Sequence, residues 1–151
     1  MINKKSDLKL AIIGLGYVGL PLALEFSKKK STIGFDVSER RIKELNSGID
    51  KNLEFYKEEL IGSNQLKFTD NVEDIKSANC FIITVPTPVD ELNKPDLSLI
   101  LKASKMIGKI IKKGDLIIYE STVFPGCVEE VCVPVLEKFS ALKFNQDFFC
   151  G

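Results

Sequence analysis

Gly14, Gly16 and Gly19 fall within the six residues Gly14-Leu15-Gly16-Tyr17-Val18-Gly19, directly after an apolar run and directly before apolar residues at helical intervals. A glycine costs about 0.5–1 kcal/mol relative to alanine inside a regular element, so three in one short stretch need a reason. The pattern G-x-G-x-x-G supplies one. The first glycine permits a tight turn out of a strand, the second leaves room for a diphosphate against the backbone, and the third lets helix and strand pack closely. The helix N-terminus then offers free N–H groups and a partial positive charge to the phosphates. No lysine is required, and the lack of G-K-[ST] argues against a P-loop.

Asp36 lies 22 residues after Gly14, at the end of the next apolar run. A carboxylate there accepts both ribose hydroxyls of an adenosine, and a 2′-phosphate would meet its negative charge. The expected dinucleotide is therefore NAD rather than NADP. Arg41 stands about one helical turn further on, where it can lie over the adenosine side, although Arg40 competes for that role. Two further segments, "VPTP" (Val85–Pro88) and "ESTVFPG" (Glu120–Gly126), leave predicted strands at the same end. Thr87, Ser121 and Thr122 can present hydroxyls there to the nicotinamide half, while a threonine before proline is also ordinary turn chemistry.

Alternating periodicities position these residues. Leu8–Ile13, Ser31–Asp36, Leu66–Thr69, Cys80–Pro86, Leu116–Ser121 and the terminal "DFFCG" read as strands. Between them, helical spacing covers Val18–Lys29, the segment from Ser38 (an N-cap) to Gly48 (a C-cap), Leu53–Ile61, a short helix capped by Asp70, Leu97–Gly114, and Cys127–Phe139 with a kink at Pro134. Thr87–Asp96, with two prolines, reads as a loop. Apolar strands without polar alternation, separated by helices, predict an α/β fold. It is a doubly wound, mostly parallel sheet of about six strands with helices on both faces, of the Rossmann type.

Composition excludes several classes. Lysine plus arginine number 21 and aspartate plus glutamate number 21, so nothing advertises nucleic acid or an anionic membrane. Lys4 and Lys5 before an apolar stretch resemble a secretory signal, but three glycines and Pro21 interrupt it, and the same breaks exclude a membrane span. The expected location is cytoplasmic. There is no histidine, and Cys80, Cys127, Cys132 and Cys150 lack the spacing of a metal or redox motif, so no metal site is expected. Cys127 and Cys132, five apart, are predicted on different helical faces, and all four thiols read as small apolar residues.

Taken together, "GLGYVGLPLA", "GFDVSERRI", "VPTPVDELNKPDLS" and "ESTVFPGCVEEVCVPVLE" resemble the UDP-glucose/GDP-mannose dehydrogenase family, in family order and over nearly the whole chain. The last two segments look most like the branch that oxidises UDP-N-acetylhexosamines for capsule, O-antigen or Vi-type polysaccharides. The resemblance implies an NAD-binding N-terminal domain at residues 1–151, followed in the family by a long central helix and a C-terminal substrate domain. It implies oxidation of the sugar C6 from alcohol to carboxylate with two NAD and no metal, through a cysteine thiohemiacetal and thioester. It places the glycine loop with Tyr17 and Val18 on the pyrophosphate, Asp36 and Arg41 on the adenosine ribose, and Thr87, Ser121 and Thr122 toward the nicotinamide. Thr122 also comes near the reacting centre. Subunits of the family associate through the central helix, so a homodimer is implied for the full-length protein.

The chain stops at Gly151, before the family's substrate-contacting glutamate and its catalytic lysine and cysteine, and none of its four cysteines matches the nucleophile's motif. The reading is a domain that binds NAD without turning over sugar; its alternative is a stand-alone NAD-binding regulatory module. A 3-hydroxyacid dehydrogenase shares the glycine loop but leaves "GYVGLPLA", "VPTP" and "ESTVFPG" unexplained.

Overall fold

A computed structural model describes residues 8–52, 55–89 and 95–151. The strands are β1 (Leu10–Ile13), β2 (Thr32–Phe35), β3 (Leu66–Thr69), β4 (Cys80–Ile83), β5 (Leu116–Tyr119) and β6 (Phe149–Cys150). Among the described residues they form one six-stranded sheet in the order β3-β2-β1-β4-β5-β6, and every paired strand is parallel. The expected doubly wound sheet is thus what the chain adopts. Its strand order reverses between β1 and β4, the place where such sheets open a crevice at their carboxyl ends.

Burial explains the continuous apolar runs. All four residues of β1 and all four of β4 are buried, with helices on either side. Ala11, Ile13, Phe81 and Ile83 face a core shared with α5 (Ser98–Gly108) and α6 (Val133–Ser140). Leu10, Ile12, Cys80 and Ile82 face the opposite core, with α1 (Gly19–Ser27) and α2 (Glu39–Asn46). Each aliphatic side chain fully withdrawn from water contributes about 1.5–3 kcal/mol. A charge in either strand has no solvated face to occupy.

Helix ends follow local chemistry. Ser38 Oγ accepts the Arg41 N–H at 3.3 Å and opens α2, and Gly48, with φ +74, follows its end. Of the predicted Leu53–Ile61 helix, α3 occupies Lys57–Ile61, and its expected start at Leu53 lies outside the described residues. The Asp90–Lys94 part of the predicted loop and the region of Lys4 and Lys5 lie outside them too.

All strands but β3 are shorter than expected, and four further features differ from expectation. α4 (Val72–Ile75) is capped by Asn71, whose Oδ1 accepts the Glu73 N–H at 3.1 Å, rather than by Asp70. α5 ends at Gly108 instead of Gly114. Ile107, Ile110 and Ile111 continue the helical spacing, but Ile107 O takes the N–H groups of both Ile110 and Ile111, and the chain turns there. The terminal strand begins only at Phe149, because Asp147 is held in a turn by Lys143 O; Phe149 and Cys150 pair with β5, and the Gly151 N–H donates to Ile117 O at 3.0 Å. No simple kink marks Pro134. Val128–Cys132 forms a π-helical turn in which the Val133 N–H reaches back to Val128 O, and Pro134 sits in the first turn of α6, where an N–H is not needed. In this wide turn residues five apart share one environment: Cys127 and Cys132 are both buried in the same core, not on separate faces.

Candidate functional site: a crevice at the carboxyl ends of the strands

The glycine loop leaves β1 and enters α1. Gly14 adopts φ +99, its N–H donating to Phe35 O at 2.8 Å, so the loop is pinned to the end of β2. Its carbonyl accepts from Thr84 Oγ1 at 2.7 Å, which pins it to the end of β4 as well. A Cβ on Gly19 would lie 1.7 Å from Gly14 O, so only a residue without a side chain lets α1 approach this closely. A Cβ on Gly16 would meet nothing within 4 Å. The fold makes no demand at Gly16 that alanine fails, and the space above it is open. Among the described residues the N–H groups of Gly16, Tyr17 and Val18 have no backbone acceptor, and Tyr17 and Val18 are exposed.

Asp36 is held by two amides. Its Oδ2 accepts the Leu15 N–H and its Oδ1 the Ser38 N–H, each at 2.9 Å. Fixed this way, the carboxylate retains lone pairs for further donors. It borders two cavities. One is apolar, lined by Ile13, Phe35, Val37, Val85, Leu99 and Met106. The other is polar and includes Gly16, Tyr17, Ser38, Arg41 and Lys51. The apolar one suits a flat heteroaromatic ring and the polar one a sugar and phosphates.

Arg41 is turned inward. Its Nε donates to Leu15 O at 3.0 Å and its Nη1 meets Asp50 Oδ1 at 2.9 Å, while Nη2 is buried without a partner among the described residues. Arg40 points to Glu44 Oε1 at 3.0 Å and is largely exposed. The Leu15 peptide is therefore gripped on both sides, by Asp36 at its N–H and by Arg41 at its carbonyl.

The exits of β4 and β5 are tied together. Thr87 Oγ1 donates to Thr122 O and Ser121 Oγ donates to Val85 O, both at 2.6 Å. These hydroxyl protons are used within the crevice wall, which leaves the oxygens free as acceptors. Thr122 is exposed, and its own hydroxyl has no partner among the described residues. The four thiols stand apart from the glycine loop. Burial pushes Cys80 and Cys132 up to about 11 and Cys150 up to about 12, and it raises Cys127.

Sequence reasoning expected the glycine loop, Asp36 and the two strand exits at one crevice; the structure brings the loop, Asp36 and the start of the β4 exit to shared cavities and ties the β5 exit to the β4 exit. It missed the apolar cavity and Asp50. Leu99, Ala103 and Met106 recur at helical spacing on α5 and carry a legible signal for that wall; a single aspartate after Gly48 carries none.

Residues 8–150 match the model of the UDP-glucose/GDP-mannose dehydrogenase family, NAD binding domain. The chain belongs to this family. It is 59% identical over 145 residues to a UDP-N-acetyl-D-glucosamine 6-dehydrogenase of Pseudomonas aeruginosa, covering 96% of this chain and 34% of that protein. The same-named protein of Salmonella typhi is 54% identical over 145 residues, again covering 96% of this chain and 34% of that one. Among solved structures, a ternary complex of GDP-mannose dehydrogenase from Pseudomonas aeruginosa superposes with a TM-score of 0.88 at 29% identity, covering 95% of this chain and 35% of that chain. The chain spans about a third of the length of the relatives it matches. As a member of this family's NAD-binding domain it is built for NAD, and the residues fit that cofactor: the open face of Gly16, the unpaired loop amides and the anchored Asp36 supply what a dinucleotide needs. Among the described residues no helix is long and apolar enough to cross a membrane.

Proposed function

We propose that this chain is the N-terminal, NAD-binding part of a nucleotide-sugar 6-dehydrogenase that oxidises a UDP-N-acetylhexosamine at C6 to the uronate for surface polysaccharide. The observation that carries the reading is the contrast between Gly19 and Gly16: packing forbids a side chain at the first, while among the described residues nothing lies within 4 Å of a Cβ at the second. A bound diphosphate is what gives the second glycine a purpose.

In this reading the amides of Gly16, Tyr17 and Val18 hold the pyrophosphate, and the dipole of α1 balances its charge. Asp36 accepts the adenosine ribose hydroxyls, and the apolar cavity between Val37, Val85 and Leu99 takes the adenine. Arg41 steadies the loop and borders the ribose. Thr87 and Ser121 set the width of the far end of the crevice, where their oxygens accept from the nicotinamide amide; Thr122 keeps a hydroxyl for the reacting centre. NAD, when bound, supplies the hydride acceptor. The sugar and the covalent chemistry belong to the family's second domain, reached through a central helix on which two subunits pair. The four thiols of this chain, raised by burial, are not nucleophiles, so by itself it binds NAD in the cytoplasm without turning over sugar.

Calorimetric titration with NAD and with NADP tests the reading. Binding of NAD at least tenfold tighter than NADP is expected, with no UDP-sugar oxidation by this chain alone; equal affinities or measurable turnover would undo it.

A further inference from the structure

Arg41 lines the same cavity as Asp36, and its Nε and Nη1 are both engaged. Its Nε is on Leu15 O, and its Nη1 is on Asp50, whose side chain is 0% exposed while that of Arg41 is 14% exposed. Asp50 Oδ1 also accepts the Asn52 N–H at 3.2 Å, so the carboxylate is fixed in place. The other cations of the polar cavity's rim are engaged as well: Glu44 Oε1 takes Lys51 Nζ at 2.7 Å and Arg40 Nε at 3.0 Å. Each of these three cations has a carboxylate partner, and none of the pairs uses Asp36.

A guanidinium beside the ribose is the group that accommodates a 2′-phosphate in dinucleotide folds that take NADP. This chain has one, with a spare buried Nη2, yet holds it in a neutralised pair. We infer that Asp50 is a specificity-determining residue: by pairing with Arg41 it withholds from a 2′-phosphate the one guanidinium built into the ribose subsite, and so enforces NAD in concert with Asp36. The inference rests on the reading of Asp36 as the ribose anchor. It makes exclusion of NADP a two-part device, repulsion by Asp36 and sequestration by Asp50.

The test measures NAD and NADP dissociation constants, with thermal melts, for the parent chain, Asp36→Ala, Asp50→Asn and the double variant. Asp36→Ala alone is expected to leave NADP no tighter than NAD. Adding Asp50→Asn should tighten NADP by a further tenfold or so, a gain that shrinks with added salt. Arg41→Met placed on the double variant should return NADP binding to the Asp36→Ala level. A double variant that melts like Asp36→Ala but binds NADP no more tightly would overturn the inference. Losing a partner from a buried pair is destabilising. Should Asp50→Asn lose its melting transition, Asp36→Ala decides: a switch to preferring NADP overturns the role of Asp50, and retained preference for NAD supports it. Equal affinities in the parent chain would instead strike the ribose reading, and the inference with it.

Discussion

A methyl group on Gly19 would sit 1.7 Å from the carbonyl oxygen of Gly14, closer than any non-bonded pair tolerates. The two glycines are thus one packing unit, and α1 cannot retreat without losing its place against β1. Gly19→Ala should lower stability by about 2–3 kcal/mol, read as a fall in melting temperature of roughly 5–10 °C. Gly16→Ala should melt within about 0.5 kcal/mol of the parent, yet bind NAD at least tenfold more weakly. A Gly16→Ala chain with parental affinity would show that no phosphate rests on that peptide.

Asp36 is anchored by the Leu15 and Ser38 amides, so its effect on ligands should be local. Asp36→Asn replaces one acceptor oxygen by a donor that faces a backbone N–H. NAD and ADP-ribose should both lose about tenfold in affinity, or about 1.4 kcal/mol, while nicotinamide mononucleotide is unchanged. Calorimetry with the three ligands separates the halves of the crevice. Equal losses for all three would point to a distorted domain rather than a lost ribose contact.

The parts of this molecule that were legible in its sequence are those where one residue type satisfies one local demand. Continuous apolar runs meant strands buried on both faces, and Gly14, with φ +99, meant a turn that side chains rarely adopt. What stayed hidden depends on partners far along the chain. Arg41 is at a ribose-binding spacing, but its guanidinium direction is decided by Asp50 and by Leu15 O, 26 residues away. Ser121 and Thr87 were legible as residues of neighbouring strand exits, whereas their bonds to each other's loops were not. The π turn was hidden for another reason. Helical periodicity assumes one turn width, and the wider turn before Pro134 puts Cys132 and Cys127 in one buried core.

Thr84 Oγ1 ties β4 to the glycine loop by donating to Gly14 O. Thr84→Val keeps the shape and removes the donor, leaving a carbonyl at the loop without its partner. A loss of about 1–2 kcal/mol is expected, with Thr84→Ser close to the parent. Because the loop carbonyl fixes the spacing of the neighbouring amides, NAD affinity should fall in Thr84→Val by more than in Thr84→Ser. Chemical denaturation of both variants, with NAD titration beside it, checks this; identical behaviour of valine and serine would deny the hydroxyl any part.

The cysteines set the last expectation. With burial pushing Cys80 and Cys132 up to about 11 and Cys150 up to about 12, the thiolate fraction at pH 8 is on the order of 10⁻³ or less. Cys127 is shifted in the same direction, and it is buried in the same core as Cys132. Unfolding restores the ordinary thiol range, so folding, not sequence, silences them. An aromatic disulfide reagent at pH 8 should react with well under one thiol per chain within minutes in native buffer, and with all four once guanidinium unfolds the chain. Raising the pH from 7 to 9 should leave the native rate low, because the thiolate populations of Cys80, Cys132 and Cys150 stay small until the pH nears 11 and burial shifts Cys127 in the same direction. Rapid stoichiometric labelling of any one thiol in the folded chain would mark an exposed, activated sulfur and reopen the question of a nucleophile within this domain.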